Sequence, residues 1–310
     1  MTAESSGAPE PVAIERSGGA ALERSEWIAR RDAHHERVDA LLAEHRWRST
    51  RGIKHPVEDF LFEYYTYRPY QLRRWHPGHG VTLVDADEWL AERDHHRAGA
   101  GVRLDTATIL RTRGRTVTQT LALLRATTDR RPQFGCFGMH EWAMVDGLST
   151  GEVRHPQIGL RLAPKEISAT LRDVGVRCTH VDAYRFFTPA AKPLNDCVPT
   201  RENQVDLDQP GCLHVGMDLY KSAYKLSPMI GSELIVDCFE LARRIRVLDM
   251  RASPYDVSSF GLPAVAVETA AGRSEYAAEQ RELADAARPL RARLLAAVEA
   301  IVDVLGHPQT

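Results

Sequence analysis

The stretch GCLHVGMDLYKSAYKLSP, residues 211–228, sets His214 and Asp218 four positions apart in a run with helical spacing. On a helix those two side chains lie one above the other on the same face. Tyr220, Lys221 and Lys225 stand close by in the sequence. Cys212, Leu213, Val215 and Met217 flank the pair and imply partial burial, where a polar side chain needs a partner. A satisfied core histidine, half of a metal site and an acid–base centre are the three roles open to such a pair.

Outward from this helix, placed at 212–226, the apolar periodicity predicts helices at 231–250 and 274–305, the last broken at Pro289. Toward the N-terminus it predicts a helix at 22–47, with Leu22, Trp27, Ile28, Val38, Leu41 and Leu42 as its stripe. HPVEDFLFEYYTY follows, with Pro56 suited to a first helical turn, and RPYQLRRWHPGHG reads as a second short helix stopped by Pro77 and Gly78. The segment 106–128 is polar but helix-compatible, and FGMHEWAMVDG reads as a short apolar helix closed by Gly147. Residues 81–85, 158–162 and 176–187 read as strands, with a helix between the last two. The expectation is a mainly α protein with a small β element: a disordered tail over 1–20, then one compact domain over 21–310.

Composition narrows the class. The chain has 310 residues, 43% hydrophobic and 26% charged, which is ordinary for a globular protein. A net charge of −2 argues against a general nucleic-acid coat and leaves room for a local basic groove. Five cysteines without a C-x-x-C pair argue against a disulfide framework and a cysteine-rich zinc site. With no run approaching the roughly eighteen apolar residues of a membrane span, and no signal-peptide pattern, a cytoplasmic location is expected.

Four segments pair a histidine with a carboxylate. His55 and Asp59, like His214 and Asp218, are four apart in helical sequence; His180 and Asp182 are two apart in strand-like sequence; His140 and Glu141 are adjacent. A fifth, SELIVDCFELARR, carries Glu233, Asp237 and Glu240 along one apolar helix. Taken singly, each pair is most simply a structural hydrogen bond. Their shared setting among Cys, Met, Val and aromatic residues raises the alternative, that they partner one another or a ligand. HEWAM lacks the second histidine of H-E-x-x-H, and no P-loop, G-x-G-x-x-G or G-x-S-x-G motif is present. Two histidines and a carboxylate from separate segments would nevertheless suit non-haem iron.

FLFEYYTYRPYQLRRW, residues 60–75, mixes rings with Arg68, Arg73 and Arg74. Its plain reading is a helix pair with its rings in the core; its functional reading is a stacking platform beside cations. Residues 103–131 carry seven arginines against two aspartates, either a solvated face or a phosphate-contacting patch.

At HPVEDFLFEYYTYRPYQLRRWHPG, GCFGMHEWAMV, CTHVDAYRFFTPAAKPLN, QPGCLHVGMDLYKSAYKLSP and LDMRASPYD the chain resembles a bacterial family, common in actinobacteria, often labelled 3-methyladenine DNA glycosylase. These blocks span about residues 55–256. The resemblance implies a base-excising N-glycosidic hydrolase acting on alkylated purine in DNA. Such work needs rings to stack a flipped base, a carboxylate for the glycosidic bond and cations for the backbone. Tyr65, Trp75, Trp142, Tyr184 and Tyr220 are the candidate rings, and Arg73, Arg74, Lys221, Arg113 and Arg115 the candidate cations. The acid–base candidates are Asp218 with His214, then His180, Asp182, His140 and Glu141. The alternative is a helical metal-dependent oxygenase or other small-molecule enzyme, with a divalent Fe, Mn or Zn held by His140, His180, His214 and Asp218 or Glu240. A third reading is a binding module whose polar network only fixes the fold. The expected partner is DNA or a nucleobase-like small molecule.

Overall fold

A computed structural model describes residues 20–306; the tail expected over 1–20 lies outside them apart from Ala20. The described residues form eleven α-helices: α1 (Arg24–Ser49), α2 (Phe60–Glu63), α3 (Pro69–Arg73), α4 (Thr106–Asp129), α5 (Met139–Ala143), α6 (Pro164–Val174), α7 (Val181–Tyr184), α8 (Gln204–Leu207), α9 (Leu213–Lys225), α10 (Ser232–Arg251) and α11 (Ala270–Gly306). Four short strands, β1 (Ala21–Leu22), β2 (Thr82–Val84), β3 (His95–Ala98) and β4 (Gly101–Leu104), make one sheet in the order β1-β2-β4-β3. β1 runs parallel to β2, and the other pairings are antiparallel. The protein is mainly α with a small β element. Among the described residues no helix is long and apolar enough to cross a membrane.

Helices α9, α10 and α11 pack on one another, and α4 lies along α11. Their buried faces join those of α2 and α5 in one large apolar core that includes Phe62, Trp142, Tyr220 and Phe239. A smaller core of Trp27, Trp75, Trp89, Leu83 and Val102 lies between α1 and the sheet. Local signals explain several boundaries. The Asp105 carboxylate caps α4 by accepting from the Thr108 N–H at 3.0 Å, and Pro164 opens α6 where its missing N–H costs nothing.

Two expectations are corrected. Helix α11 passes through Pro289 unbroken, because Leu283, Ala287, Leu294 and Val298 bury on both sides of it and packing outweighs the lost backbone bond. The segments 158–162 and 176–187 are not strands. Each makes one isolated bridge, Leu160 with Tyr255 and Val176 with Asn195, and residues 181–184 turn as α7. Their alternating pattern found no neighbouring strand to complete a ladder, and apolar burial alone fits a helical turn as well.

Phe239 is 1% exposed and packs its ring against Phe62 and Tyr220, at centroid distances of 5.5 and 5.3 Å. Phe239→Ala is expected to lower unfolding free energy by about 3–5 kcal/mol in a urea titration. A loss below about 1 kcal/mol would contradict the core described above.

Candidate active site

Four elements deliver the polar residues to one place. Helix α9 carries His214 and Asp218 one turn apart, and Gly216 between them lets α10 approach: a Cβ there would fall 2.7 Å from Ile245 Cδ1. Helix α10 then brings Arg246 and Asp249, three apart and bonded to each other at 2.6 Å. Gly138 begins α5 with φ of +70°, and a Cβ there would press on Ala252 and Tyr276 at 3.3–3.4 Å. That tight turn holds His140 and Glu141 against α10. His180 is the extended residue that starts α7, and Asp182 lies in the first turn.

The side chains form two ion-pair groups joined by histidine rings. In one, Lys221 Nζ donates to Asp218 Oδ2 at 3.0 Å and to Asp182 Oδ2 at 2.8 Å. His180 Nε2 faces Asp218 Oδ2 at 3.2 Å, Tyr65 Oη donates to Asp218 Oδ1 at 3.4 Å, and Arg201 pairs with Asp182. In the other, His140 Nε2 lies 2.7 Å from Asp249 Oδ1, while Arg246 bonds Asp249 Oδ2 and, at 2.9 Å, Glu141 Oε1. His214 sits between the groups, stacked on His180 at 5.1 Å and edge-on to His140 at 4.4 Å. The helical pair His214–Asp218 is thus coupled through His180.

Electrostatics sorts these groups. Burial alone would raise the Asp218 carboxyl, but Lys221 and His180 outweigh it and hold it well below the usual carboxylate range. Asp249 behaves likewise, with His140 and Arg246 opposing burial, and in return Asp249 raises His140 against its own burial. Glu141 goes the other way: burial, with Asp249 beside it, pushes its carboxyl up. Burial and the two neighbouring imidazoles hold His214 well below the ordinary histidine value, so it is neutral.

A cavity of about 320 Å³ opens on this cluster. Phe60, Tyr64, Phe186 and Tyr255 supply aromatic walls, and Asp182, His214, Glu141 and Arg246 supply polar atoms. Burial and the Arg246 guanidinium lower cavity-lining His155 to about 4. At the rim the exposed Phe186 ring lies under the Arg154 and Arg185 guanidinium carbons, at 5.8 and 4.7 Å. Asp218 and Lys221 border a different groove of about 490 Å³, and Lys225 joins that groove to a wider one of about 680 Å³ lined by Arg74, Arg93, Arg111 and Arg113.

The structure brings His140, Glu141, His180, Asp182, His214, Asp218 and Lys221 together. Other expectations are corrected. Trp75 is buried in the small core and donates Nε1 to Glu233, and Trp142 is fully buried with Nε1 on Ala252 O, so neither ring can stack a ligand. Tyr65 and Tyr220 are likewise buried, Tyr65 touching Asp218 and Tyr220 packed edge-on against it. Tyr184 packs on Phe187, next to the cluster but outside the cavity lining. Arg73 pairs with Asp39, and Arg74 pairs with Glu92 while facing the wide groove. Glu240 binds Arg37 on the surface and cannot be a ligand with the histidines, and Asp237 pairs with Arg37 and Arg293. Asp59 closes its own loop by accepting from His55 N–H and Arg48.

Asp249, Arg246, His155 and Phe186 were missed. Asp249 had a readable signal, a carboxylate between Leu248 and Met250 in an apolar helix, the same signal that misdirected attention to Asp237.

No family model, curated protein or solved structure matches the chain.

Because Asp218 and Asp249 have lowered carboxyls, their stabilisation is complete above the unfolded value near 3.9 and is lost as pH falls below it. The thermal midpoint should therefore hold down to about pH 4 and fall progressively from there toward about pH 2. Asp218→Asn should cost about 1–3 kcal/mol at pH 7 and make that drop shallower. A variant as stable as the parent at pH 7, with the same acid profile, would show that the Asp218–Lys221 pair contributes nothing.

Proposed function

We propose that the protein is a base-excising N-glycosidic hydrolase acting on alkylated purine, with the 320 Å³ cavity as its base pocket. The observation that carries this reading is the pairing of aromatic walls with an ionised carboxylate and a neutral imidazole in one cavity. The resemblance to chains labelled 3-methyladenine DNA glycosylase supports the substrate class. A volume of this size accepts a purine with part of its sugar, and aromatic rings attract a cationic alkylated base. Exposed Arg154 and Arg185 at the rim suit a phosphate backbone, and a flipped nucleotide would enter past Phe186.

The chemistry follows from the charges. The C1′–N9 bond breaks with its electron pair passing into the cationic ring, which leaves as a neutral base. Asp182, kept ionised by Lys221 and Arg201 against its burial, stabilises the positive sugar. Water, held by a ring nitrogen of His214, then bonds to C1′. The oxonium so formed is strongly acidic, so even a low-pKa carboxylate such as Asp182 can take its proton. Glu141, with its raised carboxyl, hydrogen-bonds a ring nitrogen of the departing base without transferring a proton, so the base leaves neutral. Asp218 borders the other groove and acts as a positioning residue through Lys221 and His180.

The test is release of free base from methylated duplex DNA, read by mass spectrometry. The wild-type chain should release 3-methyladenine, and Asp182→Asn should slow release about a hundredfold or more while remaining folded. Should Asp182→Asn fail to fold, His214→Asn serves in its place, with the same direction. No release above background by the wild type, or full activity in a folded Asp182→Asn, would sink the proposal.

A further inference from the structure

We infer that His140, His214 and Asp249 bind one divalent first-row transition-metal ion. Their nitrogen and oxygen donors lie within 4.8 Å of one another, with His140 Nε2 and Asp249 Oδ1 only 2.7 Å apart. Donors about 2.0–2.2 Å from one ion stand roughly 3–4 Å apart, so small side-chain shifts close this set on a metal. Two imidazoles and one carboxylate favour iron, manganese, cobalt or zinc over calcium or magnesium.

The surroundings favour this set over the second one. His180, Asp182 and Asp218 also bring donors within 4.8 Å, but the Lys221 ammonium already bridges both carboxylates at 2.8 and 3.0 Å and takes the cation's place. Around Asp249 the fixed cation stands outside: Arg246 grips Oδ2 and Glu141, leaving Oδ1 turned to His140. That is the outer support which orients a ligating carboxylate. His140 and Asp249 are 5% and 1% exposed, whereas His214 lines the 320 Å³ cavity. A metal there would keep its remaining positions on the side where a substrate or water enters. The inference goes beyond base excision and does not depend on it; a metal-held water would take over the place given above to water on His214.

The experiment uses the untagged full chain, stripped with chelator, reloaded with Co²⁺ and gel-filtered. Bound metal is counted by mass spectrometry, and the visible spectrum is recorded. One Co²⁺ per chain with ligand-field bands is expected. His214→Ala should weaken binding by at least about a hundredfold, while Asp218→Asn and Glu240→Gln keep it. The inference is overturned if the wild type retains no cobalt, or if folded His214→Ala binds as tightly. Loss in Asp218→Asn with retention in His214→Ala would also overturn it, by placing the ion in the other set. If His214→Ala does not fold, pulsed electron paramagnetic resonance of the Cu²⁺-loaded wild type decides: two imidazole nitrogens uphold the site, and fewer reject it. No DNA enters the assay, so its failure is separate from a failure of base excision.

Discussion

Burial of four carboxylates among helices α5, α7, α9 and α10 is the constraint that organises this protein. Glu141, Asp182 and Asp249 are buried, and Asp218 is partly covered. An unpaired carboxylate in such a place would cost several kcal/mol, so each must meet a cation or give up its charge. Lys221 serves two of them and Arg246 the other two. The pairing ties α9 to α7 through Lys221 and Asp182, and α10 to α5 through Arg246 and Glu141.

The same pairing leaves three histidine rings in contact with unequal surroundings. His140 and His180 each face a carboxylate, while His214 faces two rings and a cavity. Attraction to Asp249 outweighs burial at His140, and nothing comparable does so at His214. A neutral imidazole, an ionised Asp182 and a carboxyl with a raised affinity for its proton therefore border one opening, and differences of this kind distinguish acid from base at a reactive site. Buried ion pairs are weak evidence of net stabilisation, since apolar replacements of similar volume are often at least as stable.

Much of this was legible in sequence where the signal was local. The four-residue spacing of His214 and Asp218 survives as one helical face, and the apolar settings of His140, His180 and His214 did mark residues that meet. Where tertiary packing chooses the partner, the sequence was silent or misleading. Asp237 and Asp249 sit in similar apolar runs of α10, yet twelve residues turn one toward Arg37 and Arg293 and the other into the core. Trp75 and Trp142 have the composition of a stacking platform, but each spends its indole N–H inside a core. Residues 176–187 carry a strand's alternation without a strand to pair with. Spacing reports which residues share a face; it does not report what that face meets.

The claim at the centre of this account is that the cavity bordered by Asp182, His214 and Glu141 is where the reacting base sits. A crystal structure of the chain with 3-methyladenine bound tests it directly. The purine ring is expected between the walls formed by Phe60, Tyr64 and Phe186, with a polar edge toward Glu141. A purine found instead in the wide groove beside Arg74 and Arg113, or a cavity that stays closed to it at saturating ligand, would contradict the account.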